Sequence, residues 1–207
     1  MDDIDTVDLG PAAQRLADLV ARVTDDELGN STPCPAYTVG DLVEHVGGLA
    51  LAFTAAANKD SNEYNDREPP PGNADRLGDD WRTRIPRDLA TLAQAWRQPQ
   101  AWTGMTRIAG SDTPSPIVGL SAADELVVHG WDVARATGQP YDPEPAVLQA
   151  AQSFLAMFAS PNAPAGPEVP FGPSRTVPDD VPLLDRVLAL AGRDPGWSPR
   201  WQGSIVT

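Results

Sequence analysis

Apolar residues recur at helical spacing along much of this chain, and short polar or proline-rich runs separate the stretches. Leu9, Leu16, Leu19, Val20 and Val23 share one face of a first helix, predicted from about Pro11 to Leu28, with Gln14, Arg15, Asp18 and Arg22 on its other faces. The run "GNSTPCPAY" then breaks the helix. A second helix should begin at Thr38, because "TVGD" is a capping-box-like pattern with Thr38 as N-cap and Asp41 three residues on. Leu42, His45, Leu49 and Ala52 form its stripe, and the Gly47-Gly48 pair permits close approach of a neighbour. Residues 59–78 are polar, carry "EPPPG" and read as a long surface loop.

Trp81, Ile85, Leu89, Leu92 and Trp96 predict a third helix near Asp79 to Trp96, in which Pro86 marks a kink or the true start. Between Ala101 and Val118 the pieces "WTGMTRI" and "SPIVG" read as extended, split by "AGSDTPS", which fits a small hairpin or an irregular crossover. A fourth helix is predicted over Ser121 to Thr137, capped by Ser121 with Asp124 as its partner and stopped at Gly138. A fifth follows near Pro145 to Phe158. A proline-rich stretch from Ser160 to Pro182 cannot be one regular element, and "PLLDRVLALAGRDP" is a short final helix stopped by Gly192. The expected class is all-α, with a four-helix bundle as core and a minor extended or hairpin segment.

Composition narrows the function. The 207 residues suit one domain with a modest extension, and 41% hydrophobic content supplies a core. A formal net charge of -14 argues against nucleic acid and anionic membrane surfaces as partners. Cys34 is the only cysteine, so no intrachain disulfide forms, and "TPCPAY" shows no basic neighbour that would activate it. The acidic start "MDDIDTVDLG" does not resemble a secretory signal, and no apolar run approaches about 18 residues, so a cytoplasmic protein is expected.

The chain holds two histidines, both in apolar stretches: "DLVEHVGGL" and "ADELVVHGWDVA". Glu125 and His129 lie four residues apart and so share a helix face, with Asp132 three further on. If the second and fourth helices are neighbours, His45 converges on the same point. Two imidazoles and one carboxylate suit zinc and other first-row divalent metals and leave a coordination position open. The spacing alone equally fits a hydrogen-bonded surface pair and a core histidine satisfied by a carbonyl. Asp132 is either the residue that orients a ligand imidazole through its second nitrogen, or a solvent-facing helix aspartate or partner of Arg135. Trp81, Trp96, Trp102 and Trp131 read as packing or pocket wall.

"STPCPAYTVGDLVEHVGGL" resembles the first motif of the metal-binding, DinB-like helical family that contains the mycothiol-dependent maleylpyruvate isomerases. "ELVVHGWDVARATGQ" is similar to its second motif, and "FGPSRTVPDDVPLLDRVLALAGRDP" to the tail of one branch. The resemblance implies an up-down-down-up bundle with a divalent metal held by His45, Glu125 and His129: zinc first, with nickel, cobalt, manganese or iron as alternatives. It implies mycothiol as cosubstrate, and hence a small-molecule thiol and an electrophilic substrate as partners of a transferase or isomerase. Arg107 and Arg135 are the candidates for a substrate carboxylate. A non-catalytic metal-binding stress or structural protein and a metal-dependent hydrolase are the other readings. The chain divides into a bundle over 1–142 and a helical, proline-rich extension over 143–207, in a monomer or homodimer.

Overall fold

In the computed structural model, residues 6–162, 173–178 and 180–199 are described. Helix α1 spans Gly10–Arg22 and buries Ala12, Ala13, Leu16, Ala17, Leu19 and Val20. It stops short of the predicted Leu28 because Thr24 opens a new cap. The Thr24 backbone N–H and hydroxyl both donate to the Glu27 carboxylate (2.8 and 2.9 Å), which winds Asp25–Glu27 into a 3-10 turn. Helix α2, Val39–Asn58, begins as its sequence predicts: the Asp41 N–H donates to Thr38 Oγ1 (3.2 Å) and the Thr38 N–H to Asp41 Oδ2 (3.0 Å). By length and composition α2 is apolar enough to cross a membrane, which run length alone did not anticipate, but most of it is buried inside the bundle.

Helix α3, Trp81–Trp96, runs through Pro86, so this proline does not mark its start. Of the two glycines expected to admit a neighbour, Gly47 does so: a Cβ there would lie 3.2 Å from Ile85 of α3, whereas Gly48 has nothing within 4 Å. Strands β1 (Met105–Ile108) and β2 (Ser111–Pro114) pair as an antiparallel hairpin. Its two-residue turn puts Ala109 at φ 49° and Gly110 at φ 78°, the positive pair that a tight hairpin turn requires.

Helix α4 spans Ser115–Ala136, so "SPIVG" is helical rather than extended and Ser121 lies inside the helix instead of capping it. Proline is compatible with a first helical turn, where its missing N–H has no helical acceptor, so Pro116 allows this early start. Helix α5 is Pro145–Phe158 and α6 is Leu183–Leu190. Most of the proline-rich stretch between them lies outside the described residues.

Helices α1 and α2 each pack against both α3 and α4, giving the ring order α1, α3, α2, α4. This is a four-helix bundle, as the resemblance to the DinB-like family implies, with α5 packed on α4 and α6 on α5. Trp96 and Trp102 meet edge to face at 5.0 Å, and their indole N–H groups donate to the carbonyls of Phe53 and Trp96. The expectation of packing roles for these rings holds, as it does for buried Trp81 and Trp131. Lys59, the only lysine, caps the end of α2 at φ 63°, and its ammonium donates to the carbonyls of Ala101 and Thr103 and to the Ser115 hydroxyl.

Candidate metal centre

The cap at Thr38 sets the start of α2, and two turns later the helix presents His45 toward α4. Tyr37 stands against its ring at 5.3 Å, and the Tyr37 hydroxyl accepts the Gly72 N–H (3.1 Å). The loop passes so close that a Cβ on Gly72 would lie 2.3 Å from the Asp41 carbonyl and 3.1 Å from His45 Cβ. From α4, Glu125 Oε2 lies 2.9 Å from His129 Nε2. The two imidazoles meet edge to face with centroids 5.1 Å apart. One ligand atom from each of His45, Glu125 and His129 lies within 4.8 Å of the others. A small apolar cavity lined by Leu49, Phe53, Leu89 and Leu126 lies beside Glu125.

Asp132 is fully buried and reaches His129 Nδ1 with Oδ2 at 3.1 Å. Its counter-ion is Arg193, not Arg135. The Arg193 guanidinium donates through Nε to Oδ1 (3.0 Å) and through its second amino group to Oδ2 (2.9 Å). Sequence reasoning missed Arg193, since "AGRDP" signals only a helix stop and the pairing spans 61 residues. Arg107 is engaged by Asp66 and Asp112 on the hairpin side, and Arg135 donates to the Trp197 carbonyl. Among the described residues, neither makes a hydrogen bond or ion pair with the three clustered groups. Asp124, expected to pair with a cap at Ser121, is buried instead, and its Oδ1 has no hydrogen-bond partner. Burial and the neighbouring Glu125 charge raise its pKa well above the usual carboxylate range.

Electrostatics separate the two histidines. Burial, and then the charge of His129, lowers His45 to about 4, so its ring is neutral at pH 7. Burial alone would depress His129 too, but hydrogen bonds to Asp132 and Glu125, and their charges, raise it to about 10. Asp132 is held below its ordinary value: burial opposes this, and the charge of Arg193 and hydrogen bonds to Arg193 and His129 prevail. In the metal-free chain an imidazolium therefore bridges two carboxylates, with a neutral imidazole at its edge.

The helical bundle, with His45, Glu125 and His129 facing one another between α2 and α4, fits the DinB-like class. The chain belongs to the mycothiol maleylpyruvate isomerase N-terminal domain family, whose pattern matches residues 9–134. Two uncharacterised proteins of Mycobacterium tuberculosis, from strains CDC 1551 / Oshkosh and ATCC 25618 / H37Rv, are each 29% identical to it over 185 residues, covering 88% of this chain and 93% of theirs. Among solved structures, a mycothiol-dependent maleylpyruvate isomerase is similar in fold, with a TM-score of 0.52 and 18% identity, and a mutant of such an isomerase matches at a TM-score of 0.51. The match covers 70% of this chain and 65% of the isomerase chain, so about a third of that chain lies outside it.

Proposed function

We propose that His45, Glu125 and His129 hold a divalent metal, zinc first, and that the protein is a mycothiol-dependent transferase or isomerase acting on a small electrophile. The observation that carries the reading is the convergence of three ligand atoms within 4.8 Å from two neighbouring helices. Ligand atoms of a tetrahedral zinc lie roughly 3.5 Å apart, given bonds of about 2.0–2.2 Å, so shifts on the order of 1 Å complete the set. The donors also suit the task. His45 is already neutral, and His129 has its Nδ1 fixed by Asp132, which leaves Nε2 as the ligand nitrogen.

Loading requires His129 Nε2 to give up its proton, so metal affinity rises with pH through the neutral range. With His129 neutral, Glu125 and Asp132 carry two negative charges and Arg193 one positive, a net of minus one. A divalent ion leaves this set one positive charge in excess, which suits an anionic fourth ligand such as a thiolate. A bound divalent metal supplies the depressed pKa that makes a thiol or water anionic at neutral pH. Glu125 and the two imidazoles then orient that ligand, and the apolar residues beside Glu125 limit water on that side. In this reading the bundle to residue 142 carries the site, the remainder is an extension of which α5 packs on α4, and the protein works in the cytoplasm as a monomer or homodimer.

Metal analysis of the purified protein and of His45→Ala tests the ligand set: one equivalent is expected in the first and under a tenth of that in the second. Equal content overturns it. Titration of the cobalt-loaded protein with mycothiol should produce thiolate-to-cobalt absorption. Turnover of an ester or amide without thiol would instead favour a hydrolase, and a spectrum unmoved by millimolar thiol a non-catalytic metal protein.

A further inference from the structure

The family match ends at residue 134, yet the charge that holds Asp132 comes from Arg193, beyond α6. Backbone geometry fixes where Arg193 leaves that helix. Gly192 takes φ 77°, its N–H donates to the Ala189 carbonyl (3.1 Å), and the Arg193 N–H donates to the Leu188 carbonyl (2.8 Å). These two bonds form a Schellman stop, which admits one exit direction for the chain. The guanidinium is then used on three sides: Nε and one amino group on the two oxygens of Asp132, the other amino group on the Ala191 carbonyl (3.4 Å). Four residues on, the Trp197 carbonyl accepts from Arg135, so the same segment is tied to α4 twice.

A carboxylate gripped by a planar fork cannot rotate freely. Asp132 in turn fixes the His129 ring through Nδ1. We infer that Arg193 is a positioning residue of the metal centre: the segment after α6 sets the direction of His129 Nε2 by clamping Asp132. The inference rests on the metal reading proposed above, and its first readout is independent of metal.

In the metal-free protein, nitrogen-correlated NMR of the two histidine rings should show a His129 Nδ1–H shielded from exchange. R193Q should lose that signal and leave His45 unchanged; R193K, which keeps the charge without the fork, should restore it in part. The second readout is metal affinity, measured by competition with a chelator. R193Q should bind zinc about 10–100-fold more weakly, the usual effect of removing a group that orients a ligand imidazole. D132N and the D132N/R193Q double variant should bind alike within about twofold, because Arg193 acts through Asp132. If R193Q is less stable but keeps both the His129 signal and the wild-type affinity, Arg193 is only a tie and the proposal falls. If the wild-type protein binds no metal but R193Q still loses the ring signal, the metal reading fails and the positioning role stands. Should R193Q not fold, R193K decides: an unaltered signal and affinity overturn the proposal.

Discussion

His45 and His129 lie 5.1 Å apart, yet the structure treats them in opposite ways. His45 is supported by its own neighbourhood: the cap at Thr38 seven residues earlier, Tyr37 against its ring and the loop at Gly72 over its Cβ. Among the described residues no counter-ion bonds to it, and burial keeps it neutral. His129 is supported from afar, by an ion pair between Asp132 and Arg193 across 61 residues, and it is held charged between two carboxylates. One residue type thus becomes a free lone pair on α2 and a displaceable proton on α4. Partners, not identity, decide which.

The largest expected effect comes from removing the His129 ring in the metal-free protein. His129→Ala leaves Glu125 without its partner and should cost about 3 kcal/mol, the low end for a broken buried pair since Glu125 keeps some access to water. His45→Ala should cost about 1 kcal/mol, the ordinary effect of a substitution. Urea unfolding checks both, and equal losses break the contrast.

The pH dependence comes next. His45, with its folded value near 4, makes the metal-free protein lose stability as pH falls from about 6.5 toward 4, because the unfolded chain takes up that proton first. The His129 contribution is complete below about 6.5 and is lost as pH rises through about 10. Urea midpoints across this range, with NMR titration of both rings, test the pair of signs. Two rings titrating together near 6.5 would erase the distinction. At the cap, Thr38→Ala should cost no more than His45→Ala, about 1 kcal/mol, and leave the His129 ring signals in place, showing that the two supports are separate.

The local support was legible in the sequence and the distant one was not. "TVGD" gave the start of α2 because a capping box is a four-residue pattern, and the i,i+4 spacing placed Glu125 beside His129 for the same reason. Helix α5 and the stop at Gly192 were equally local. Misreadings arose where local rules competed. At "SPIVG" the β-branched residues suggested a strand, while Pro116 and the bundle made it the first turn of α4. After Arg22, the Thr24–Glu27 box ended a helix that the apolar period would have continued. Arg193 had no local mark at all: its role exists only because α6 docks where α4 presents Asp132.

Lys59 carries a consequence for handling the protein. It is the only side-chain amine in the sequence, and its three donors face three oxygens at the junction of α2, the turn before β1 and the start of α4. Burial holds its pKa below the ordinary lysine value, which favours the nucleophilic free amine. Acylating reagents meet one side-chain amine, and modification there removes the charge and the donors together. Acylation of that one side-chain amine therefore measures how much the three bonds hold this corner of the molecule together, read as the change in unfolding midpoint on modification.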